Sequence, residues 1–456
     1  MLNNADIQII DANLSFLPIQ TRVPLKFGAE VLNSVTCARA NITVKKENGA
    51  MANGWGETPL SVQWVWPSHI SYGERFDALL AFSEKLLLAC RSFSERGHAL
   101  EIGHSFVFKQ VPEILNEFNR ESRSGHEPIP WLAALVCASP FDLALHDAYG
   151  VVNEVPIYQS YDSNFLNHDL SKFLEPSKGS IISFTEKVPA DYLELSPPNE
   201  IPVWHLVGGL DPLNKEELNG EEPDDGYPVH LEEWIERDGL NCLKIKLRGN
   251  DSDWDYNRLV SVGGIAHAMD VEYLTTDFNC TVTDPEYVNQ ILDRLKLDHN
   301  IIWKKILYVE QPFPYDLEKH QIKVHSLSQR KPLFMDESAH DWKHVRMGLE
   351  LGWTGVALKT CKTQTGAILS LCWAKAHGMD LMVQDLTNPM LAQIPHVLLG
   401  AHAGTIMGVE SNGMQFYPDA SKHEAAIHPG VYQRRKGMLD LSTIKGAGFG
   451  YQMEIQ

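Results

Sequence analysis

The stretch Leu243-Lys244-Ile245-Lys246-Leu247 decides how this chain is read. At the two-residue period of a strand, Leu243, Ile245 and Leu247 share one face, and Lys244 and Lys246 share the other. Taken alone, such a pair reads as a solvated strand face. The sequence that follows argues for something else.

Short apolar runs alternate with amphipathic stretches from about Pro202 onward. The runs cover residues 202–208, 242–247, 272–277, 306–310, 332–336, 355–359, 380–384 and 405–410. Helical stretches lie between them, such as 284–297, where Pro285 suits a first turn. Strand–helix alternation of this kind predicts parallel strands with crossover helices. A closed (β/α)8-type barrel is the economical fold, with its chemistry at the C-terminal ends of the strands.

Polar residues recur at those ends. In order they are Lys244 and Lys246, Asp277 and Asn279, Glu310, Asp336 and Glu337, Lys359, Gln384 and Asp385, and Glu410. Each step is about one strand–helix unit, roughly 30 residues, so the side chains are expected to ring one mouth. Three carboxylates there, Asp277, Glu310 and Asp336, would repel one another unless neutralised. A hard divalent cation does this with oxygen ligands. No His/Cys set stands at these positions, so zinc or copper is less natural. Lys244 and Lys246 are expected to depress each other's charge, bringing one toward the range of a general base. A substrate carbon between Lys246 and Lys359 would lose a proton on one face and gain one on the other.

The first third reads as α+β. Strands are predicted over 6–17 and 38–45, joined through the loop Pro24-Leu25-Lys26-Phe27-Gly28, with a hairpin turn at Glu47-Asn48-Gly49. Helices fit 76–93 and 131–149, the latter closed by Gly150. The segment 156–198 reads as an insertion or linker, and 211–225 as a solvated acidic loop. The expected organisation is an α+β capping domain over 1–150 completed by 415–456, a linker over 151–201, and a barrel over 202–414.

Composition narrows the class. Lysine and arginine total 39 against 59 acids, a net charge of −20, which argues against nucleic acid and anionic membranes as partners. An anionic small substrate stays open, because a metal and a few lysines reverse the local field. The seven cysteines are scattered and form no CxxC pair, so neither a disulfide framework nor a zinc ribbon is expected. No leader and no bilayer-length apolar window is legible, so a cytoplasmic location is expected.

The strand-end residues resemble the enolase superfamily, in particular its muconate-lactonizing-enzyme-like branch. The matching pieces are Leu243-Lys244-Ile245-Lys246-Leu247, Thr276-Asp277-Phe278-Asn279, Val309-Glu310-Gln311-Pro312, Met335-Asp336-Glu337-Ser338 and Ala357-Leu358-Lys359-Thr360. Residues 24–28 are similar to the family's specificity loop, 52–58 to the segment after its first hairpin, and 139–150 to the helix leading into the barrel. The resemblance implies Asp277, Glu310 and Asp336 as Mg²⁺ ligands, with Mn²⁺ as the alternative ion. It implies a metal-stabilised enolate, Lys246 and Lys359 as acid and base, and Lys244 as the cation that tunes Lys246. Asn279 and Glu337 would support them, and Gln384, Asp385 and Glu410 would face the substrate or serve structure. An even-numbered homo-oligomer is also implied. The mandelate-racemase branch fits less well, since it would place a His–Asp dyad where Lys359 and Gln384-Asp385 stand.

The leading functional expectation is racemisation or epimerisation at the carbon α to a carboxylate. The alternatives are β-elimination from the same enolate (cycloisomerase or sugar-acid dehydratase) and a non-catalytic barrel that binds a metal–carboxylate complex. Three other signals are assigned bland roles. His340 and His344 read as a solvent-facing helical turn, 446–450 as a flexible turn and not a dinucleotide loop, and Trp55, Trp64 and Trp66 as small-domain core.

Overall fold

In the computed structural model, which describes residues 3–27, 30–453 and 455, the first strand outruns its hydrophobic pattern. Strands β1 (Ile7–Phe27) and β2 (Glu30–Lys46) form one long antiparallel hairpin. The predicted loop 24–28 is therefore strand through Phe27, while Gly28 lies outside the described residues. Pro24 is tolerated because the ladder is already interrupted between Gln20 and Leu25. Strand β3 (Met51–Pro59) follows the turn expected at 47–49, and the short β4 (Arg96–Gly97) completes a sheet of order β3-β2-β1-β4.

The helix Trp131–Val152 packs on this sheet at backbone distance. A Cβ at Gly54 would lie 2.1 Å from the Ala148 nitrogen, and one at Gly56 2.2 Å from the Pro140 carbonyl oxygen. Only glycine permits that approach. Asp147 of the same helix accepts the backbone N–H groups of Trp55 at 2.9 Å and Phe449 at 2.8 Å, fastening the C-terminal stretch to the sheet. The turn at 446–450 is correspondingly fixed, with Gly448 bonded to Val155 and Ile157.

Eight parallel strands follow: β5 (Glu200–Val207), β6 (Cys242–Lys246), β7 (Tyr273–Asp277), β8 (Ile306–Glu310), β9 (Leu333–Met335), β10 (Gly355–Leu358), β11 (Asp380–Val383) and β12 (Val409–Glu410). They pair in sequence, and β12 pairs back onto β5, so the barrel is closed. Strand β13 (Met438–Asp440) adds to the outside of β5 in antiparallel sense.

Two segments tie the layers together. Residues 156–198 carry short 3₁₀ turns rather than helices, and their backbone is gripped by barrel helices. Trp373 Nε1 donates to the Glu175 carbonyl at 2.9 Å, and Lys375 Nζ to that of Tyr192 at 2.7 Å. The acidic loop after β5 meets the long hairpin through Arg22, whose guanidinium binds both oxygens of Asp225 at 2.7 and 2.8 Å. No helix among the described residues is long and apolar enough to cross a membrane.

Two tests follow from this packing. Gly56→Ala is predicted to destabilise the protein by about 1–3 kcal/mol through overpacking against Pro140, read as a lowered urea midpoint. The second concerns His98, which caps the helix Ala99–Ser105 by accepting the Leu100 N–H on Nδ1 while Nε2 meets Ser160. Burial lowers the His98 pKa from 6.5 to about 4, against an opposing pull from Glu101. The folded pKa lies below the unfolded one, so this contribution is full above pH 6.5 and is lost as pH falls through about 4. His98→Asn keeps a capping acceptor but cannot titrate. It should flatten the pH dependence of unfolding free energy in that window by at most about 3 kcal/mol.

Candidate active site

Alternation along the barrel strands builds the site in layers. Trp204, Cys242, Tyr308, Phe334 and Met382 point inward and form an apolar plug. Two residues further along four of the same strands stand Lys244, Glu310, Asp336 and Gln384, so they too face the interior. Lys246 pairs in register with Asp277, and Asp277 with Glu310. Leu243 and Ile245 of the opening motif face the helices and join the main core. All of these polar residues are buried.

The carboxylates and ammonium groups interlock. Lys244 Nζ donates to Glu310 Oε1 at 2.5 Å and Glu410 Oε2 at 2.9 Å, and lies 3.3 Å from Asp277. Lys246 Nζ donates to Asp277 Oδ2 and, at 2.9 Å, to Asn279 Oδ1. Across the mouth, Lys359 Nζ meets the Asp385 carbonyl at 3.0 Å and Asp336 Oδ2 at 3.2 Å. Gln384 Nε2 donates to Glu310 Oε2 at 2.5 Å and to the Tyr308 hydroxyl at 3.1 Å. Asp385 and Glu410 are both anchored by Asn412, which reaches Asp385 Oδ1 at 3.2 Å and Glu410 Oε1 at 2.7 Å through Nδ2.

The electrostatics correct one expectation. Burial alone would depress the Lys244 pKa, but Glu310, Glu410 and Asp277 outweigh it and hold the group well above the usual lysine range. Lys359 is likewise raised, because Asp336 outweighs burial. Carboxylates, not neighbouring lysines, set the field. On the acidic side, burial pushes Glu310 well above the carboxylate range, with Asp277 and Asp336 adding to it against Lys244. Burial, with Asp336 adding, raises Glu337 to about 7, and burial with Glu410 raises Asp385 to about 6. Burial also acts on Asp277, but Lys246 and Lys244 overcome it and hold the group far down.

The structure adds residues that the strand-end pattern does not reach. Lys362, one 3₁₀ turn after Lys359, is buried and donates to the Asp336 carbonyl at 2.5 Å and the Ala339 carbonyl at 3.1 Å. Its three-residue spacing from Lys359 is the signal that could have found it. Trp64 also reaches this mouth, donating from Nε1 to Glu337 Oε1 at 2.9 Å, and so serves more than the small-domain core. Gln311 Oε1 accepts the N–H groups of Asp336 at 2.7 Å and Ser338 at 3.3 Å. His340, expected on a solvent-facing turn, is buried before the helix Trp342–Leu351 begins, with its ring 4.6 Å from that of His344.

Counting the whole cluster, Asp277, Glu310, Asp336, Glu337, Asp385 and Glu410 share the mouth with Lys244, Lys246, Lys359 and Lys362. Asp336 Oδ1, with Lys362 Nζ 3.7 Å away, and Glu337 Oε2 accept no hydrogen bond from the described residues. Among the described residues no three His, Cys, Asp or Glu converge as a ready-made metal group, and ammonium groups lie against oxygens of Asp277 and Glu310. Left-handed backbone at Asn279, Cys280, Gln311, Thr363 and Thr387, none of them glycine, gathers after the strand ends; such strain collects at functional sites. A cavity of about 850 Å³ lies elsewhere, lined by Ile19, Arg39, Met390, Tyr417 and Glu424. It holds none of the lysines, so the chemistry is assigned to the enclosed mouth.

Lys244→Met should therefore cost about 3–5 kcal/mol, since it strands Glu310 and Glu410 without their shared cation. Equilibrium unfolding at neutral pH reads this. A loss below about 1 kcal/mol would contradict the described pairing.

Comparison with known proteins agrees with this architecture. No curated protein matches the sequence. Solved structures similar to this chain include a mandelate racemase/muconate lactonizing protein from Herpetosiphon aurantiacus, with a TM-score of 0.61 at 16% identity, covering 97% of both chains. An N-succinyl Arg/Lys racemase from Bacillus cereus gives 0.62 at 16% identity, covering 97% of this chain and 95% of its own. A muconate lactonizing enzyme from Pseudomonas fluorescens gives 0.60 at 14% identity, covering 98% and 96%. At these identities the likeness is one of fold. The family described as "Enolase C-terminal domain-like" matches residues 227–455, half of the sequence, and the chain belongs to that family within the enolase superfamily.

Proposed function

We propose that this protein is an isomerase that takes the proton α to a carboxylate and returns it on the other face, as a racemase or epimerase. The observation that carries the reading is the placement of two lysines. Lys246 ends β6 and Lys359 follows β10, four strands apart in a closed circuit of eight, so they approach the mouth from opposite sides. A carbon held between them has one ammonium or amine on each face, which is what inversion at that carbon requires.

The donor set fits Mg²⁺, with Mn²⁺ as the alternative. Asp277, Glu310 and Asp336 offer only oxygen, on three successive strands, and Asp336 Oδ1 accepts no hydrogen bond from the described residues. Six carboxylates share the mouth with four ammonium groups, and a bound divalent cation would favour the ionised form of the carboxylates that burial pushes up. When bound, the cation would hold the substrate carboxylate and offset the charge that develops as the α-proton leaves. Lys244, between Glu310 and Glu410, fixes the orientation of Glu310 from one side and Gln384 from the other. Asn279 positions Lys246, and the Asp385 carbonyl positions Lys359. Burial of the whole mouth excludes water, so a proton taken by either lysine is retained near the carbon.

The name of the N-succinyl Arg/Lys racemase suggests the first probes: N-succinyl amino acids, together with other chiral 2-substituted acids. Incubated with Mg²⁺ in D₂O, one class should gain α-deuterium and lose optical purity. Lys246→Ala and Lys359→Ala are each predicted to cut racemisation by about 10²–10⁴-fold. Full racemisation by both variants would sink the proposal. An unsaturated or keto product would move the protein to β-elimination instead.

A further inference from the structure

Trp64 belongs to the chain of the capping sheet, yet its indole sits among the groups of the barrel mouth. It lies on the four-residue helix Val62–Val65 that follows β3, and is 8% exposed. Its edge and its face do different work. Nε1–H donates to Glu337 Oε1 at 2.9 Å. The ring face takes two cations, with Lys359 Nζ 5.4 Å and Lys362 Nζ 5.6 Å from the ring. An indole suits this place because its edge is a donor and its face attracts cations.

The backbone that delivers Trp64 is itself unusual. Ser61, immediately before the helix, has φ 24 and ψ 62, left-handed for a residue with a side chain, and its buried hydroxyl makes no hydrogen bond to the described residues. Such strain persists only where surrounding contacts fix it.

Lys359 is thus held from three directions: the Asp385 carbonyl, the Asp336 carboxylate and the Trp64 ring. Lys246, on the opposite side, has Asp277 and Asn279 among its partners.

We infer that Trp64 is a positioning residue for Lys359, so that the capping sheet governs proton transfer on the face of the substrate carbon that Lys359 serves. The inference rests on the proton-transfer function proposed above. In racemisation each lysine exchanges the α-proton of one enantiomer. A misplaced Lys359 therefore slows exchange of one enantiomer selectively, because proton transfer is sensitive to displacements of an ångström. A merely structural Trp64 would slow both alike.

The test uses the full chain with Mg²⁺ in D₂O and both enantiomers of the 2-substituted acid that the wild type exchanges fastest. Lys359→Ala identifies the enantiomer that depends on Lys359. Trp64→Leu, which keeps bulk but loses the ring face, should slow exchange of that enantiomer by about tenfold relative to the other. Trp64→Phe, which keeps an aromatic face without the N–H, should restore most of the difference. A second readout needs no substrate. Amine-reactive labelling of the metal-free protein, followed by peptide mass spectrometry, should show Lys359 and Lys362 labelled faster in Trp64→Leu, with Lys244 unchanged. Equal slowing of both enantiomers, or unchanged labelling of Lys359, overturns the inference while leaving the proposed function in place. Failure of the wild type to exchange any acid overturns the function and this inference with it.

Discussion

The ion pairing of Lys244 with Glu310 and Glu410 is the contact on which the rest of the mouth depends. Buried charges are tolerated only when paired and hydrogen-bonded, and here the chain brings six carboxylates into one enclosed space. Lys244 rises from the layer just above the apolar plug and touches three of the strands that supply them. Gln384 and Asn412 then orient oxygens that Lys244 leaves over. The excess of carboxylates over ammonium groups in this space is the physical reason for proposing a divalent cation there.

Enclosure gives these charges their strength. In a low-dielectric site each interaction is worth more than in water, but someone must exclude the water. The long β1–β2 hairpin, latched by Arg22 to Asp225, and the short helix bearing Trp64 come from the N-terminal sheet. The segment 156–198 runs against barrel helices and holds them through backbone carbonyls. The glycine approach at Gly54 and Gly56 sets how closely the sheet rides on the helix that leads toward the barrel.

Much of this was legible from residue order because alternation converts directly into direction. Once Lys244-Ile245-Lys246 is a barrel strand, the lysines must face inward, and the same rule places Asp277, Glu310 and Asp336. What was not legible depends on contacts distant in sequence. Pro24 reads as a loop signal, and only the interrupted ladder around it shows why the strand continues. Trp64 sits on a helix too short to have a periodicity, and its partners lie some 270 residues on. Lys362 falls past the strand end, on a 3₁₀ turn. The lysine pair suggests a depressed Lys244 because the sequence shows its adjacency to Lys246 but not the carboxylates that surround it. His340 was placed on a helix that in fact begins two residues later.

The central claim is that one divalent cation is held at the barrel mouth by Asp277, Glu310 and Asp336. Calorimetric titration of the metal-free protein with Mg²⁺ tests it most directly. The account predicts one ion per chain, with binding lost in Asp277→Asn, Glu310→Gln and Asp336→Asn. It also predicts release of protons on binding, seen as a dependence of the heat on buffer ionisation enthalpy, since the cation displaces protons held by buried carboxylates. No binding, or binding that all three substitutions leave intact, would contradict it.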